Sequence, residues 1–451
     1  MRLAFLFLSV LLAAASAADK PNFIIFLIDD LGATDVGCYG SKYYETPQVD
    51  RLAAEGLRFR YGYSACTVCS PSRAAMITGQ WPARLHLTDW IAGHERPFAK
   101  LAIPDWQKRL PLTERTIAQA LHEQGYTTAA IGKWHLSPDG PAAHGFDVAI
   151  ADNHKGQPDS YLSPYKNPNL PDGPKGEELT GRLTDEAIGF IEKNKEKPFF
   201  LYLAHFAVHT PLGGKPESIA HFAERAKTVT PQGKPAYGAM IAAVDDSVGR
   251  IRARLADLKL ADNTVIIFTG DNGGLELGKV TDNLGMRAGK GSAYEGGVRV
   301  PFIVYWPGVT KAGTVSDVPV ITNDIPATLA DIAGAKLSGD GLSLSPLLHG
   351  GPSEPRALYW HYPHYHPGGA TPYSAIREGD WRLVRFYEDG REELYNLVKD
   401  PEEKSDLAGA EPDRRAVLAK KLDAWLAETK AQLPTPNPKA DPAKDKGGGK
   451  E

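Results

Sequence analysis

Cysteine is nearly absent: the 451-residue chain carries three, Cys38, Cys66 and Cys69. So few exclude a disulfide-stapled scaffold, and a chain this long buries enough surface to do without one. No charge of one sign dominates. The 51 lysines and arginines stand against 55 aspartates and glutamates, a formal net charge of −4. A general nucleic-acid binder would show a basic excess, so that class is set aside. A local anion pocket stays open, because a few converging cations need no global surplus. Long apolar runs are also missing, except in the first eighteen residues. There Arg2, an apolar stretch over 3–12 and the small Ala15-Ser16-Ala17 form the pattern of a cleaved export signal. The stretch is too short for a good spanning helix, the alternative being an uncleaved N-terminal anchor. No cysteine follows the cleavage site to take a lipid. The expectation is an exported protein, periplasmic or secreted, with no membrane span.

What is present reads as a globular enzyme: 42% hydrophobic residues, 24% charged and 45 glycines. Continuous apolar runs at 22–28, 127–131, 198–204, 264–269 and 302–306 suit strands buried on both faces. Helical patterns lie between them at 117–124, 183–193 and 237–258. Alternation of this kind predicts an α/β fold, a large mostly parallel sheet sandwiched by helices, over 19–354. The polar residues cluster just past the strand ends, where open α/β sheets place their ligands. From 355 to 431 the texture changes to four short strand-like runs and an amphipathic stretch at 413–430. A small antiparallel sheet with one covering helix is expected there. Residues 432–451, rich in Pro, Lys, Asp and Gly, read as a disordered tail.

Three groups of residues carry chemistry. Cys66 and Cys69 form a C-x-x-C, open to a redox pair or half a zinc site, but no second pair completes the zinc site. Asp29-Asp30 and Asp271-Asn272 each end an apolar run. Either pair alone reads as a turn or a helix cap. Together they offer three carboxylates and an amide oxygen, ligands for a hard cation. Lys133, His135, His205, His209 and Lys290 follow other strand ends or loops, and singly each reads as surface or satisfied core.

The run Cys69-Ser70-Pro71-Ser72-Arg73, continuing to Thr78-Gly79, resembles the signature of the type I sulfatases, alkaline-phosphatase-like enzymes with arylsulfatases and N-acetylgalactosamine sulfatases among them. Gly132-Lys133-Trp134-His135, His209 in His205-Phe-Ala-Val-His209-Thr-Pro211, and Lys290 ahead of Glu295-Gly-Gly-Val-Arg299-Val-Pro301 are similar to later segments of that family, in family order. Met76 and Ile77 replace more usual leucines, and Cys66 is extra to the pattern. The resemblance implies that a formylglycine-generating maturation enzyme oxidises Cys69 to formylglycine, whose hydrate is the nucleophile. It implies a calcium ion held by Asp29, Asp30, Asp271, Asn272 and residue 69. A helix starting after Pro71 would aim its N–H groups at the anion. The family roles carry over as follows. Arg73 orients residue 69 and Asp271 assists its deprotonation. Lys133 and Lys290 neutralise the sulfuryl oxygens, His209 protonates the leaving oxygen, and His135 takes the last proton.

Two rivals remain: a phosphate or phosphonate ester hydrolase of the same superfamily, and a catalytically silent binder of sulfated glycans. Export and the absence of a membrane span suggest a sulfated carbohydrate substrate, of galactose or N-acetylgalactosamine type. Trp360-His361-Tyr362-Pro363-His364-Tyr365-His366 offers aromatic faces and imidazoles, with a core strand and loop as the equal alternative. From it His361 and His364, and elsewhere Trp90, His94 and Arg377, are the substrate-contact candidates.

Overall fold

A computed structural model describes residues 20–445, so the export signal read at 1–18 lies outside the described residues. Eight strands form the main sheet: β1 (Asn22–Ile28), β2 (Leu57–Phe59), β3 (Thr127–Gly132), β4 (Val148–Ile150), β5 (Phe199–His205), β6 (Thr264–Gly270), β7 (Phe302–Tyr305) and β8 (Thr314–Ser316). Their order across the sheet is β8-β2-β7-β6-β1-β5-β3-β4. Strands β6, β1, β5, β3 and β4 run parallel, and only β7 runs against its neighbours β6 and β2. The expected α/β architecture is present. The short strands β2, β4 and β8 escape a search for apolar runs because each is only three residues long.

The central strand shows why its sequence lacks alternation. Ile24, Phe26 and Ile28 join one buried cluster, and Phe23, Ile25 and Leu27 join another on the opposite face. Successive side chains point to opposite faces, so a strand covered on both must be apolar throughout. Helices α1 (Pro47–Glu55), α2 (Cys69–Thr78), α3 (Ile117–His122), α4 (Leu179–Lys193), α5 (Pro235–Asp257) and α6 (Asp324–Ala333) supply the covers. The first, fourth and fifth fill one side, and the other three fill the opposite side. Helix α4 starts four residues before the expected boundary. The Glu178 side chain caps it by accepting from the N–H groups of Thr180 and Gly181.

Toward the C-terminus, β9 (Ala357–Tyr362), β10 (Tyr373–Glu378), β11 (Trp381–Phe386) and β12 (Glu392–Asn396) make an antiparallel sheet in sequence order. Helix α7 (Pro412–Glu428) covers it through Leu418, Leu422 and Trp425, in a cluster shared with Cys66, Val68 and Ala75. The seam with the main sheet also buries charge. Glu295 pairs with Arg299 at 2.6 Å and Arg382 at 3.0 Å, and Arg382 reaches Glu403 at 3.3 Å.

The tail corrects its expectation. Thr435–Pro436 pairs antiparallel with Leu101–Ala102. The Asn437 side chain donates to the carbonyls of Pro97 (3.0 Å) and Ala99 (2.7 Å), and Arg96 pairs with Asp445 at 2.6 Å. Backbone pairing and side-chain bonds anchor a segment too polar to bury a core. Residues 446–451 lie outside the described residues.

Candidate active site

The carboxyl ends of β1, β3, β5 and β6 bring the chemistry-bearing residues to one edge of the sheet. Asp29 and Asp30 follow β1 directly, and Asp271 and Asn272 follow β6. All four side chains are buried. Asp30 has φ +59°, an uncommon left-handed turn for a side chain larger than glycine. This turn breaks the strand's alternation, which is how two consecutive carboxylates come to serve one site. Gly132, at φ +99°, ends β3 beside the Ala204 carbonyl, where a Cβ would come within 2.0 Å of the oxygen. Only glycine permits the turn that delivers Lys133 and His135.

Helix α2 begins at Cys69, three residues earlier than expected, and its ten residues are all buried. Pro71 is tolerated in the first turn because the N–H it lacks would have no intrahelical partner. The N-terminal end of the helix dipole therefore lies at residue 69. Arg73 sits one turn on, its guanidinium ion-paired to Asp271 with the buried Nη2 making no hydrogen bond among the described residues. Nε (2.8 Å) and Nη2 (2.7 Å) hold Asp271 Oδ2, and Nη1 donates to the Lys133 carbonyl at 2.8 Å. Lys133 Nζ meets Asp29 Oδ2 at 2.5 Å. Lys290 Nζ lies 3.1 Å from Asp30 Oδ2 and 3.2 Å from His209 Nε2.

A cavity of ≈240 Å3 opens here, lined by Cys69, Trp90, Ile91, His135, Gly156, Gln157, His209 and Lys290. Lys133, expected with Lys290 at the sulfuryl oxygens, and Arg73, expected to orient residue 69, are fully buried and are not among the residues of its wall. The two histidines are held in defined orientations. His209 Nδ1 donates to the Thr210 carbonyl at 2.6 Å, which leaves Nε2 toward Lys290. His135 Nε2 donates to the Ile91 carbonyl, and its buried Nδ1 has no hydrogen-bond partner among the described residues. Burial, reinforced by the Lys133 charge, holds the His135 ring well below the ordinary histidine range. That ring is neutral, with a lone pair on Nδ1.

A hard cation fits the remaining atoms. Asp29 Oδ1 and Asn272 Oδ1 are buried acceptors with no hydrogen-bond partner among the described residues. Asn272 Nδ2 donates to Asp30 Oδ1 (2.8 Å) and the Gly273 carbonyl (3.0 Å), which fixes the amide with its oxygen unsatisfied. Buried acceptors left this way are costly unless something binds them. Ligand atoms of Asp29, Asp30, Cys69 and His209 all lie within 4.8 Å of one another. Asp271 stands outside that group of four; its Oδ1 accepts from the Asp30 N–H at 3.1 Å and its Oδ2 from Arg73. Burial and the neighbouring Asp271 push the Asp29 carboxyl well up, against the pull of Lys133 and Arg73. A divalent cation would reverse that shift.

Of the five substrate candidates, Trp90 alone lines the cavity. His94 is half-buried off its wall, its N–H donating to Asp89 Oδ2 at 3.4 Å. The other three are structural. His361 spends both ring nitrogens on Ser374 Oγ (2.7 Å) and the Gln432 carbonyl (3.0 Å), the latter contact existing only because the tail is ordered. His364 bonds Thr88 Oγ1 at 2.8 Å beneath Trp106, and burial pushes it down to about 3. Arg377 is buried over the Tyr61 ring, bonds the Tyr63 hydroxyl, and borders a separate ≈870 Å3 cleft at the seam. His205 is also core, bonded to Ser247 Oγ at 3.0 Å. Gly156 and Gln157 carry no sequence signal: their segment is irregular, with neither motif nor periodicity.

A family model described as sulfatase matches residues 21–335, and one described as N-sulphoglucosamine sulphohydrolase, C-terminal, matches residues 289–432. The chain belongs to the sulfatase family, whose members hydrolyse sulfuric esters. It is 36% identical to an arylsulfatase of Hemicentrotus pulcherrimus over 76% of this chain and 64% of that one. It is 32% identical to arylsulfatase A of Homo sapiens, covering 94% of this chain and 91% of the relative. The N-acetylgalactosamine-6-sulfatase of Homo sapiens matches at 33% over 78% and 70%. The crystal structure of Ps i-CgsB superposes with a TM-score of 0.77 at 32% identity, over 90% of this chain and 93% of that one. That protein has also been captured with k-i-k-neocarrahexaose.

Proposed function

We infer that this enzyme is an exported, calcium-dependent sulfatase that removes sulfate from a carbohydrate after Cys69 has been oxidised to formylglycine. One observation carries the reading. Cys69, at the start of a buried helix, shares a cluster with Asp29, Asp30 and His209, and shares a cavity with His135 and Lys290. The Cys69 thiol stands where the converted side chain, made by a formylglycine-generating maturation enzyme, would supply a hydrated aldehyde as nucleophile. Calcium, when bound, supplies Lewis-acid charge beside residue 69, and Asp29, Asp30, Asp271 and Asn272 would hold it.

Charge counting supports the ion. Asp29, Asp30 and Asp271 are matched by Arg73, Lys133 and Lys290, so these six side chains leave nothing over for an anion. A divalent cation restores the surplus that a buried sulfate needs. Lys290, the lysine on the cavity wall, then binds a sulfuryl oxygen and stabilises charge as it grows. Arg73 and Lys133 act from behind: Arg73 fixes Asp271, and Lys133 fixes Asp29. His209 Nε2 is placed to pass a proton to the departing sugar oxygen; because Nδ1 already donates to Thr210, that transfer is from the doubly protonated ring. His135 Nδ1, on a neutral ring and without a hydrogen-bond partner among the described residues, accepts a proton at residue 69.

Arylsulfatases and an N-acetylgalactosamine-6-sulfatase among the relatives, with k-i-k-neocarrahexaose bound to Ps i-CgsB, favour a sulfated galactose-type unit. Export by residues 1–18 would place the enzyme where such polymers are met, periplasmic or secreted. No helix among the described residues is long and apolar enough to cross a membrane. Paired assays of sulfate, phosphate and phosphonate esters test the reaction class. Sulfate hydrolysis should dominate, and preferred phosphate or phosphonate turnover would refute the reading.

A further inference from the structure

Two residues on the cavity wall have no part in the chemistry above. Trp90 is half-buried there, and its indole Nε1 has no hydrogen-bond partner among the described residues. Its segment is pinned on three sides. The Trp90 N–H donates to Asp89 Oδ1 at 2.9 Å, and the Tyr362 hydroxyl donates to the same oxygen at 2.7 Å. The Ile91 N–H donates to Ser70 Oγ at 3.1 Å, beside Cys69. The indole is thus presented by a backbone fixed to the reaction centre. Gln157 is exposed on the same wall as Gly156, its neighbour in sequence, which lies on the His135 ring. Its amide makes no hydrogen bond among the described residues.

A fixed aromatic face and an uncommitted amide suit one kind of ligand part. The C–H face of a pyranose lies on the indole, and its hydroxyls bond the amide oxygen and nitrogen. Size narrows the ligand further. The cavity's ≈240 Å3 falls below the roughly 300–1,000 Å3 of pockets that enclose drug-sized ligands. A sulfate and one sugar ring fill it. Resting on the sulfatase reading above, we propose that Trp90 and Gln157 form a single-sugar subsite. The enzyme accordingly takes sulfate from a free monosaccharide or a chain-terminal unit, not from within a chain.

The test compares kcat/KM on sulfated galactose and N-acetylgalactosamine with kcat/KM on p-nitrophenyl sulfate, which has no sugar hydroxyls. In Gln157→Ala and Trp90→Ala the sugar-to-aryl ratio should fall about threefold to tenfold, the worth of one lost hydrogen bond or contact surface. Trp90→Phe, which keeps an aromatic face, should retain more of that ratio than Trp90→Ala. Wild-type enzyme should also cleave a trisaccharide sulfated on its non-reducing unit at least about tenfold faster than one sulfated only on its middle unit. Ratios unchanged within twofold, or equal rates on the two trisaccharides, overturn the subsite. A wild type inert to both sugar and aryl sulfates overturns the sulfatase reading, and this one with it.

Discussion

Gly156 lies against the His135 imidazole so closely that a Cβ there would come within 2.6 Å of Cε1. The contact closes the ring between this glycine and the Ile91 carbonyl that its Nε2 bonds. A methyl group at 156 must displace the ring or the loop, and overpacking of this kind costs about 1–3 kcal/mol. Gly156→Ala should therefore lower kcat by about tenfold to a hundredfold through the misplaced ring. Steady-state kinetics beside a thermal melt check it. A variant with wild-type kcat would show that His135 does not depend on this contact.

Calcium should stabilise the folded enzyme as well as activate it. Asp29 Oδ1 and Asn272 Oδ1 are buried with no hydrogen-bond partner among the described residues, and Asp29 is crowded by Asp271. Chelation should lower Tm, and added calcium at a hundredfold excess over its Kd should restore about 2.7 kcal/mol. Asp29→Asn should weaken that rescue. Scanning calorimetry with a chelator and with calcium decides it, and a Tm indifferent to both contradicts the site.

How much of this was legible in the sequence follows from periodicity and spacing. The apolar strands around 22–28 and 264–270 declared a sheet covered on both faces, and their acidic ends declared its working edge. Cys69 to Arg73 marked helix α2 through the resemblance of a contiguous motif, whose residues lie within about one helical turn of each other. Burial, by contrast, depends on distant chain. His361 reads like a sugar ligand until the Gln432 carbonyl is seen on its Nε2, 71 residues away. Lys133 reads like an anion ligand, and only the fold shows it paired with Asp29 and Arg73 paired with Asp271. Gln157 had no signal at all, since only the fold brings it to the cavity.

His361 should make the protein acid-sensitive. Burial pushes its imidazole from 6.5 down to about 4. Above pH 6.5 the ring is neutral folded and unfolded, so it adds no pH dependence. Below 6.5 the unfolded chain takes up a proton that the folded chain refuses until about pH 4, so stability falls with acid. The slope is about 1.4 kcal/mol per pH unit for this one group. His361→Gln removes that slope, so its stability deficit against wild type should shrink as pH drops from 6.5 toward 4. Urea unfolding at several pH values measures it; parallel loss in the two proteins would contradict the assignment.

The most direct measurement follows residue 69 itself. Enzyme produced with varying amounts of maturation enzyme is digested, and mass spectrometry of the Cys69 peptide gives the fraction carrying aldehyde in place of thiol. Sulfatase turnover per molecule should rise in proportion to that fraction and vanish in Cys69→Ala. Full turnover from a preparation whose peptide retains only the thiol would contradict the account.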